Sequence, residues 1–276
     1  MNKLTIRLTL LYFFVFLTSF ISNAQTLSGK ILETETKKPI PYVNIEIPGK
    51  DIGTVSDSLG NFAIAYKDSN IHDTLKVSCI GYESRNFILT DLIRKTNIEI
   101  PMNKIIYTLH EVVINPGSKN KIRVLGNTSY SKFMSTGSKC SNSGSEIGVL
   151  YKNKQPIRVA KVNLQCITSN NSEVLFRINI FNGESGRPTN NLLKKPIILK
   201  YRFKKGDNIF DLSDYNIEIS NDFFISYETI SIPNGGFAPQ FGCSLFGPKS
   251  LWRYTSQAYW DKFPGSVSFS VTVSPE

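Results

Sequence analysis

Residues 41–66 read PYVNIEIPGKDIGTVSDSLGNFAIAY. Apolar and polar residues alternate from Val43 to Ile47, which is typical of a strand with one face in a core and the other in water. The prolines at 39 and 41 stiffen the approach to this run, and the segment SLGN at 58–61 predicts a tight turn. This stretch therefore predicts short antiparallel strands joined by turns.

Comparable runs occupy the chain from residue 26 to residue 102. The predicted strands are 27–32, 43–47, 54–56, 62–66, 75–80, 87–89 and 98–100, with a single helical turn over 91–95. Seven short strands without a long helical pattern favour two packed antiparallel sheets. We therefore expect a β-sandwich over residues 25–103.

Four segments of this region carry a family resemblance: SGKI at 28–31, PIPYVNI at 39–45, GTVSDSLGNF at 53–62 and IGY at 80–82. Together they resemble the carboxypeptidase regulatory-like domain, a transthyretin-like or immunoglobulin-like β-sandwich common in exported proteins of Bacteroidetes. The resemblance covers residues 25–102. It implies an accessory domain that carries no catalytic zinc ligands.

The histidines of the chain do not suit a peptidase. A zinc carboxypeptidase needs two histidines and a carboxylate around the metal, and this sequence has only His72 and His110, neither in a His-x-x-Glu spacing. No nucleophile-elbow motif occurs either. We expect a protein that is not an enzyme and that has no metal or cofactor.

The N-terminus has the pattern of an export signal. Lys3 and Arg7 precede an apolar run over 8–20, and small residues at 22–24 suit cleavage before Gln25. The run is shorter than the roughly 20 residues that span a bilayer, so no transmembrane segment is expected in the mature chain. We expect residues 1–24 to be removed and the mature protein to be periplasmic, associated with the outer membrane or extracellular.

The chain is basic, with a net charge of +10. Loss of Lys3 and Arg7 leaves 30 basic against 22 acidic residues, or +8. This charge favours anionic partners such as acidic polysaccharides or lipid headgroups, but the basic residues are scattered. We expect no nucleic acid partner, because no recognition helix or basic, aromatic-interleaved motif is present.

The four cysteines are far apart and lack zinc-site spacing. Cys79 and Cys166 lie in apolar strand patterns and are expected to be buried thiols. Cys140 and Cys243 are the pair to test for a disulfide, which remains open.

Residues 104–146 are predicted to connect two domains. The segment LHEVVI at 109–114 resembles the stretch that follows this domain in TonB-dependent outer-membrane transporters, although the remaining chain is too short for a transporter barrel. It predicts a strand, and Glu111, Val112, Val113 and Ile114 are candidates for docking to a partner by strand addition. The Ser-, Gly- and Asn-rich residues that follow indicate a linker.

Alternation returns after residue 147. The predicted strands are 148–151, 158–167, 173–181, 197–203, 208–212, 223–230 and 267–273. They predict a second sandwich over 147–276, which loosely resembles a galactose-binding-like jelly roll. The expected fold is all-β, with two sandwiches after a signal peptide.

Aromatic residues cluster near the end of the second domain. The candidate ligand-binding residues are Trp252, Arg253, Tyr254, Tyr259 and Trp260. Flat rings can stack on sugars, with Arg253 adding hydrogen bonds. The alternative is that the rings cover the open end of the core, since large aromatic side chains are usually mostly buried.

Aspartates in two loops offer a further alternative, a calcium site: Asp51 and Asp57 in the first domain, or Asp207, Asp211 and Asp214 in the second. Turn capping explains Asp211 more simply.

Three functions follow from these patterns. The first is a non-catalytic, exported envelope or surface protein that binds a glycan, an envelope component or a protein partner. The second is an accessory docking component of a TonB-dependent transport system. The third is a glycan-active hydrolase with paired carboxylates in the second domain, which are often far apart in sequence.

Overall fold

The structure is a computed structural model that describes residues 25–95, 97–106, 122–137, 142–234 and 236–275. These residues form mainly strands, with one five-residue α-helix among them. The predicted all-β class of packed β-sandwiches is confirmed. We call the described residues up to 106 the first sandwich and those from 122 onward the second sandwich.

The first sandwich has a three-stranded and a four-stranded sheet. Its elements are β1 (Gln25–Glu33), β2 (Asn44–Ile47), β3 (Ile52–Val55), β4 (Asn61–Tyr66), β5 (Thr74–Ser78), β6 (Arg85–Ile88), α1 (Leu89–Ile93) and β7 (Glu99–Met102). One sheet has the order β4-β1-β7, in which β1 pairs antiparallel with β4 and parallel with β7. The other has the antiparallel order β3-β2-β5-β6.

Alternating apolar residues of the two sheets form the core of the first sandwich. Ile31, Ile45, Ile64, Val77 and Ile100 are all buried in one apolar cluster. In β4 the burial alternates strictly, as the period of two requires for a strand with one inward face. The core therefore lies between the two sheets.

The predicted turn before β4 depends on Asp57 and Gly60. The Asp57 carboxylate accepts hydrogen bonds from the backbone N–H groups of Leu59 and Asn61, both at 2.8 Å. Gly60 has φ of +75°, and a Cβ there would lie 2.7 Å from the carbonyl oxygen of Ile31. Glycine is thus required both by the left-handed backbone and by the close approach of β1.

The second sandwich contains the remaining strands. They are β8 (Arg123–Gly126), β9 (Ser131–Thr136), β10 (Glu146–Tyr151), β11 (Ile157–Leu164), β12 (Val174–Asn182), β13 (Ile197–Tyr201), β14 (Ile209–Asp211), β15 (Ile217–Ile219), β16 (Phe223–Ser231), β17 (Phe241–Ser244), β18 (Ser250–Arg253), β19 (Asp261–Lys262), β20 (Ser266–Val267) and β21 (Phe269–Pro275). A six-stranded sheet has the order β13-β12-β16-β10-β18-β19. It packs over the five-strand set β14-β11-β21-β8, with β15 also on β11, and over the small sheet β20-β17-β9.

Aromatic rings fill much of the second core. Phe176, Phe203, Tyr227 and Phe241 are fully buried, and their ring centroids lie 4.9–5.9 Å apart in stacked, tilted and edge-on contacts. Tilted and edge-on contacts suit the ring quadrupoles. The strongly apolar faces of β12, β16 and β17 meet in this core.

Two strands lie inside the segment predicted as a linker. β8 pairs with β21, and β9 pairs with β17, so residues 123–136 are part of the second sandwich. Both are edge strands with little burial, and their Val124 and Phe133 are exposed. The serines and glycines around them interrupt the apolar alternation, so the sequence did not predict these strands.

Candidate functional site

The six-stranded sheet has a row of four charged residues on the face away from its own core. Arg177 on β12 lies opposite Glu228 on β16, Glu228 lies opposite Glu146 on β10, and Glu146 lies opposite Arg253 on β18. We call these four residues the charge row. The period of two in each strand places all of them on one face, while their neighbours Phe176, Ile147 and Tyr227 face the core.

The first sandwich covers the charge row. Asn44 and Glu46 lie on the outer face of β2, with Lys76 and Ser78 beside them on β5. Glu46, Glu146 and Glu228 are each 1% exposed or less. The expectation that the alternating strand 43–47 has one face in water is therefore wrong at Glu46, because a second sheet packs on that face.

Hydrogen bonds join the two sandwiches at this contact. Arg177 donates to the Asn44 side-chain oxygen at 3.1 Å and to the Tyr42 carbonyl oxygen. The Ser256 hydroxyl donates to Glu46 Oε2 at 2.6 Å. The Gly49 amide donates to the Gln257 carbonyl oxygen at 3.0 Å, and Lys76 Nζ donates to the Gln257 side chain at 3.1 Å.

Gly53 permits the close approach of the two sandwiches. A Cβ on Gly53 would lie 2.9 Å from the Cβ of Thr255 in the second sandwich, closer than side-chain carbons pack. Gly53, the first residue of the segment 53–62, is therefore needed for the contact between the sandwiches rather than for a turn.

Each arginine of the charge row pairs with one glutamate. Arg177 Nη1 lies 3.0 Å from Glu228 Oε2, and Arg253 Nε lies 2.8 Å from Glu146 Oε2. Opposed like charges on neighbouring strands are unfavourable, and the Asn179 amide relieves this by donating to Glu146 at 2.8 Å and to Glu228 at 2.7 Å. Buried charges persist because each is paired and hydrogen-bonded.

Arg253 also stacks on aromatic rings. Its guanidinium carbon lies 4.1 Å from the ring centroid of Trp260 and 5.6 Å from that of Phe181. The Trp260 ring in turn packs edge-on against Phe224 at 4.9 Å. A cation over a ring face is favourable, more so where water is excluded.

Burial shifts the protonation of two of the carboxyl groups. It raises the pKa of Glu46 to about 7, against the opposing effects of the Ser256 hydrogen bond and the Arg253 charge. It also raises the pKa of Glu146, although Arg253 opposes the shift. Desolvation disfavours the ionised carboxylate, which is the cause in both cases.

A polar cavity of about 500 Å³ opens beside the charge row. We call it the shared cavity, because both sandwiches line it. Residues of the first sandwich and of the second contribute to its wall. The lining includes Asn44, Lys76, Ser78, Cys79, Tyr82, Arg177, Asn179, Phe181, Thr189, Asn190, Asn191, Leu193, Glu228, Arg253, Ser256 and Gln257.

Two charged residues of the shared cavity retain unused hydrogen-bonding atoms. Glu228 Oε1 and Arg177 Nε are buried, and neither has a hydrogen-bond partner among the described residues. Buried polar atoms are almost always paired, so these two atoms are exceptions in the fold. Because both are closed off from solvent, a molecule in the cavity reaches them only if neighbouring side chains move.

The structure distributes the five predicted ligand-binding residues among different environments. Trp252 is buried in the core of the second sandwich, and Arg253 lies in the charge row. Trp260 is half-buried beneath Arg253, whereas Tyr254 is partly exposed and Tyr259 is 74% exposed. Arg253 alone of these five lines the shared cavity.

Sequence reasoning missed Glu46, Glu146, Arg177 and Glu228. Glu46 and Arg177 each lie inside a strand between two apolar residues, and Glu228 lies in the mainly apolar run FFISYETI at 223–230, whereas Glu146 begins β10 after a serine and gives no such signal. A charged residue in such a run is a usable signal, since long charged side chains are rarely buried without a partner. Their convergence depends on strand register, which the sequence does not state.

Several predicted features fall outside the described residues. The residues outside are Glu111 to Ile114, His110 and Cys140. The docking strand and the Cys140–Cys243 disulfide therefore stay predictions. Cys243 and Cys166 are buried thiols, and Cys79 is half-buried with its pKa raised by burial.

Three of the five candidate calcium ligands accept hydrogen bonds from neighbouring groups of the fold. Besides Asp57 in its turn, Asp211 accepts from the Ser213 amide at 3.0 Å, and Asp207 accepts from the Asn163 side chain at 2.8 Å. Within the described part of the chain, no three His, Cys, Asp or Glu residues are grouped so as to hold a metal ion.

Comparison with known proteins assigns the N-terminal region. The family model of the CarboxypepD_reg-like domain matches residues 27–114, which confirms the resemblance of the first sandwich and extends it beyond β7. No curated protein matches the chain.

Among solved structures, those of the infectious bursal disease virus Gx and Gt strains match at 9% and 10% identity. Each alignment covers 91% of this chain, and 77% and 64% of the viral chains, with TM-scores of 0.26 and 0.25. Similarity this low carries no information about fold or function.

Over the described ranges, no helix is both long and apolar enough to cross a membrane.

Proposed function

We propose that this chain, whose first sandwich is a CarboxypepD_reg-like domain, is a non-catalytic exported protein that binds a polar envelope component in the shared cavity. The domain family is an accessory one, which supports a binding role for the first sandwich. The leader-like residues 1–24 support export. The two sandwiches contribute jointly to the site, so the ligand is recognised by the pair rather than by either alone.

The observation that carries this proposal is the polar lining of the shared cavity, to which Glu228 and Arg177 belong. Both side chains are buried, line one cavity and keep an atom without a partner among the described residues. A polar cavity with a few fixed donors and acceptors is the usual form of a site for a polar small molecule. The hydroxyl and amide side chains of Ser78, Thr189 and Asn190 extend the same chemistry toward the rim.

A glycan hydrolase is the second candidate, favoured by the paired carboxylates Glu146 and Glu228. Such an enzyme needs one carboxyl group to donate a proton to the substrate and a second to act as nucleophile or base. Both oxygens of Glu146 are occupied, one by Asn179 and Ser226 and the other by Arg253, and Glu146 does not line the cavity. Glu228 Oε1 has no partner among the described residues, but it is buried and closed off from solvent. Neither carboxyl group is therefore placed to reach a substrate, which favours binding over hydrolysis.

Binding can be tested without disturbing the buried charges. Asn190 is an exposed residue of the cavity rim, so Asn190→Trp should obstruct the cavity and leave the fold intact. Asn221→Trp is the matched control, because Asn221 is exposed and does not line the cavity. The mature chain from Gln25 and both variants would be applied to an array of bacterial envelope glycans and extracts.

Binding that persists in the control and is lost in Asn190→Trp would support the shared cavity as the site. Equal binding by both variants would move the site elsewhere, and the exposed rings of Tyr254 and Tyr259 would then be examined first. Release of reducing sugar by the wild-type chain, abolished in Glu228→Gln, would favour the hydrolase instead.

A further inference from the structure

The wall of the shared cavity holds more cations than carboxylates. Four charged residues line it, the cations Lys76, Arg177 and Arg253 and the carboxylate Glu228. Resting on the proposed function, we infer that the ligand of the shared cavity carries an anionic group and that Lys76 is its counter-charge. A saccharide that bears a carboxylate or a phosphate has this chemistry. The inference agrees with the basic character of the whole chain, which favours anionic partners.

Lys76 is the cation of this wall that lacks a carboxylate partner. Each arginine of the wall is paired with a glutamate of the charge row, whereas Lys76 forms no ion pair with any described residue. Its Nζ donates one hydrogen bond, to the Gln257 side-chain oxygen at 3.1 Å. An ammonium group has three donors, so two remain for a ligand. Lys76 is half-buried and lines the cavity, so its ammonium group is within reach of a molecule that enters.

The carboxyl group opposite Lys76 does not supply a full counter-charge. Glu46 faces Lys76 from the neighbouring strand β2, but it accepts a hydrogen bond from Ser256 and does not line the cavity. Burial raises the pKa of Glu46 to about 7, so this group is only partly ionised at neutral pH. Lys76 therefore keeps positive charge that an anionic ligand can neutralise.

Other hydrogen-bond donors of the wall are also unused. Arg253 binds Glu146 through Nε and Nη2, while its Nη1 donates to no described residue and is not among the unpartnered atoms closed off from solvent. The Gln257 side chain accepts from Lys76, and its amide nitrogen donates to no described residue. Carboxylates and phosphates are strong acceptors of such bonds. A surplus of donors therefore suits an anionic group, whereas a cationic group would face Lys76 without an accessible carboxylate.

The experiment measures binding of the full mature chain to three immobilised oligosaccharides: alginate oligomers, which carry carboxylates, phosphorylated mannan oligomers, and unmodified neutral mannan oligomers. We expect binding to an anionic class and not to the neutral one, and the preference between carboxylate and phosphate identifies the source of the charge. Affinity should fall about tenfold or more in Lys76→Met, because a hydrogen bond between charged groups is lost. Lys76→Arg keeps the charge and should retain most of the binding.

The matched control for Lys76→Met is Lys38→Met. Lys38 is an exposed lysine of the same sandwich that does not line the cavity, so this variant loses the same charge elsewhere. A measurement on the wild-type chain keeps the test valid if Lys76→Met fails to fold. Its affinity for the anionic oligomer should weaken as sodium chloride rises from about 50 to about 500 mM, since salt screens a partly exposed ion pair. Affinity that salt leaves unchanged would overturn the ion pair.

The outcomes separate this inference from the proposed function. Binding of the neutral oligomer alone, blocked by Asn190→Trp, would overturn the anionic assignment and leave the shared cavity as the site. Anionic binding that Lys76→Met and Lys38→Met weaken equally would overturn the role of Lys76. Anionic binding that Asn190→Trp leaves intact would overturn both proposals. Absence of binding to all three oligomers would overturn the inference, while the envelope array would still decide the proposed function.

Discussion

Replacing Glu46 by glutamine should remove much of the pH dependence of stability near neutrality. Glu46 has a pKa of about 7 in the folded chain, against an ordinary value of 4.5. Between these two values the folded chain holds a proton that the unfolded chain has released. The free energy of unfolding therefore falls as pH rises from about 4.5 to about 7 and stays low above that.

The size of this effect follows from the two pKa values. Their difference corresponds to about 3 kcal/mol lost between mildly acidic and alkaline pH. Glu146, whose pKa is also raised by burial, adds to the loss in the same direction. The lowered pKa values of Asp57, Asp73 and Asp222 act in the opposite direction, but only at more acidic pH, as these carboxylates become protonated.

The assay is urea unfolding of the wild type and Glu46→Gln at pH 5, 6, 7 and 8, followed by circular dichroism and tryptophan fluorescence. The variant should gain stability relative to the wild type as pH rises, by up to about 3 kcal/mol at pH 8. Glu35→Gln, at an exposed position of the first sandwich, is the control and should follow the wild type. Parallel pH profiles for the wild type and Glu46→Gln would refute the reasoning.

Three further substitutions test the contact and the charge row. Gly53→Ala should destabilise the chain by about 1–3 kcal/mol, because the new Cβ meets Thr255, and adding Thr255→Gly should recover part of the loss in thermal denaturation. Arg253→Met should cost about 3–5 kcal/mol in urea unfolding at neutral pH, since it leaves Glu146 buried without its partner, and a loss below about 1 kcal/mol would contradict the pairing. Trp252→Ala should cost about 3–5 kcal/mol, because Trp252 is a core residue, and an unchanged midpoint would contradict its burial.

The local alternation of residues predicted most of the strands correctly. The runs at 43–47, 62–66 and 174–180 form β2, β4 and the centre of β12, since one apolar face is enough to specify a strand. The turn at Asp57 and Gly60 was also predictable, because the capping carboxylate and the glycine act within a few residues.

The sequence did not predict in the same way whether the polar face of each strand contacts water or another sheet. Glu46 and Arg177 alternate with apolar residues as solvent-facing side chains do, and the sequence pattern is the same whether water or another sheet lies opposite. The choice depends on contacts between residues more than a hundred positions apart, such as Arg177 with Asn44. The charge row likewise arises from the register of four strands that are not adjacent in sequence.

The aromatic segment shows the same limit at a candidate site. Its four aromatic residues are close in sequence but lie in different places. Trp252 is in the core, Tyr254 and Tyr259 are at the surface, and Trp260 lies beneath Arg253. The period of two along β18 places Arg253 on the face opposite Trp252, but the sequence did not predict this strand. Nor could the sequence identify Glu146 as the partner of Arg253, because that pairing is set by the sheet.

Protons and ligand should act on the same equilibrium in this protein. Glu46 is buried by the contact between the sandwiches, and the shared cavity is lined by both of them, so separating the sandwiches would relieve the burial of Glu46 and also dismantle the cavity. A ligand present at 100 times its dissociation constant stabilises the intact form by about 2.7 kcal/mol. That is comparable with the roughly 3 kcal/mol lost through Glu46 as pH rises. A bound ligand should therefore offset most of the stability lost at alkaline pH. The stability that Glu46→Gln gains over the wild type at alkaline pH should be the same with and without ligand. A smaller gain with ligand would mean that the ligand changes the burial of Glu46.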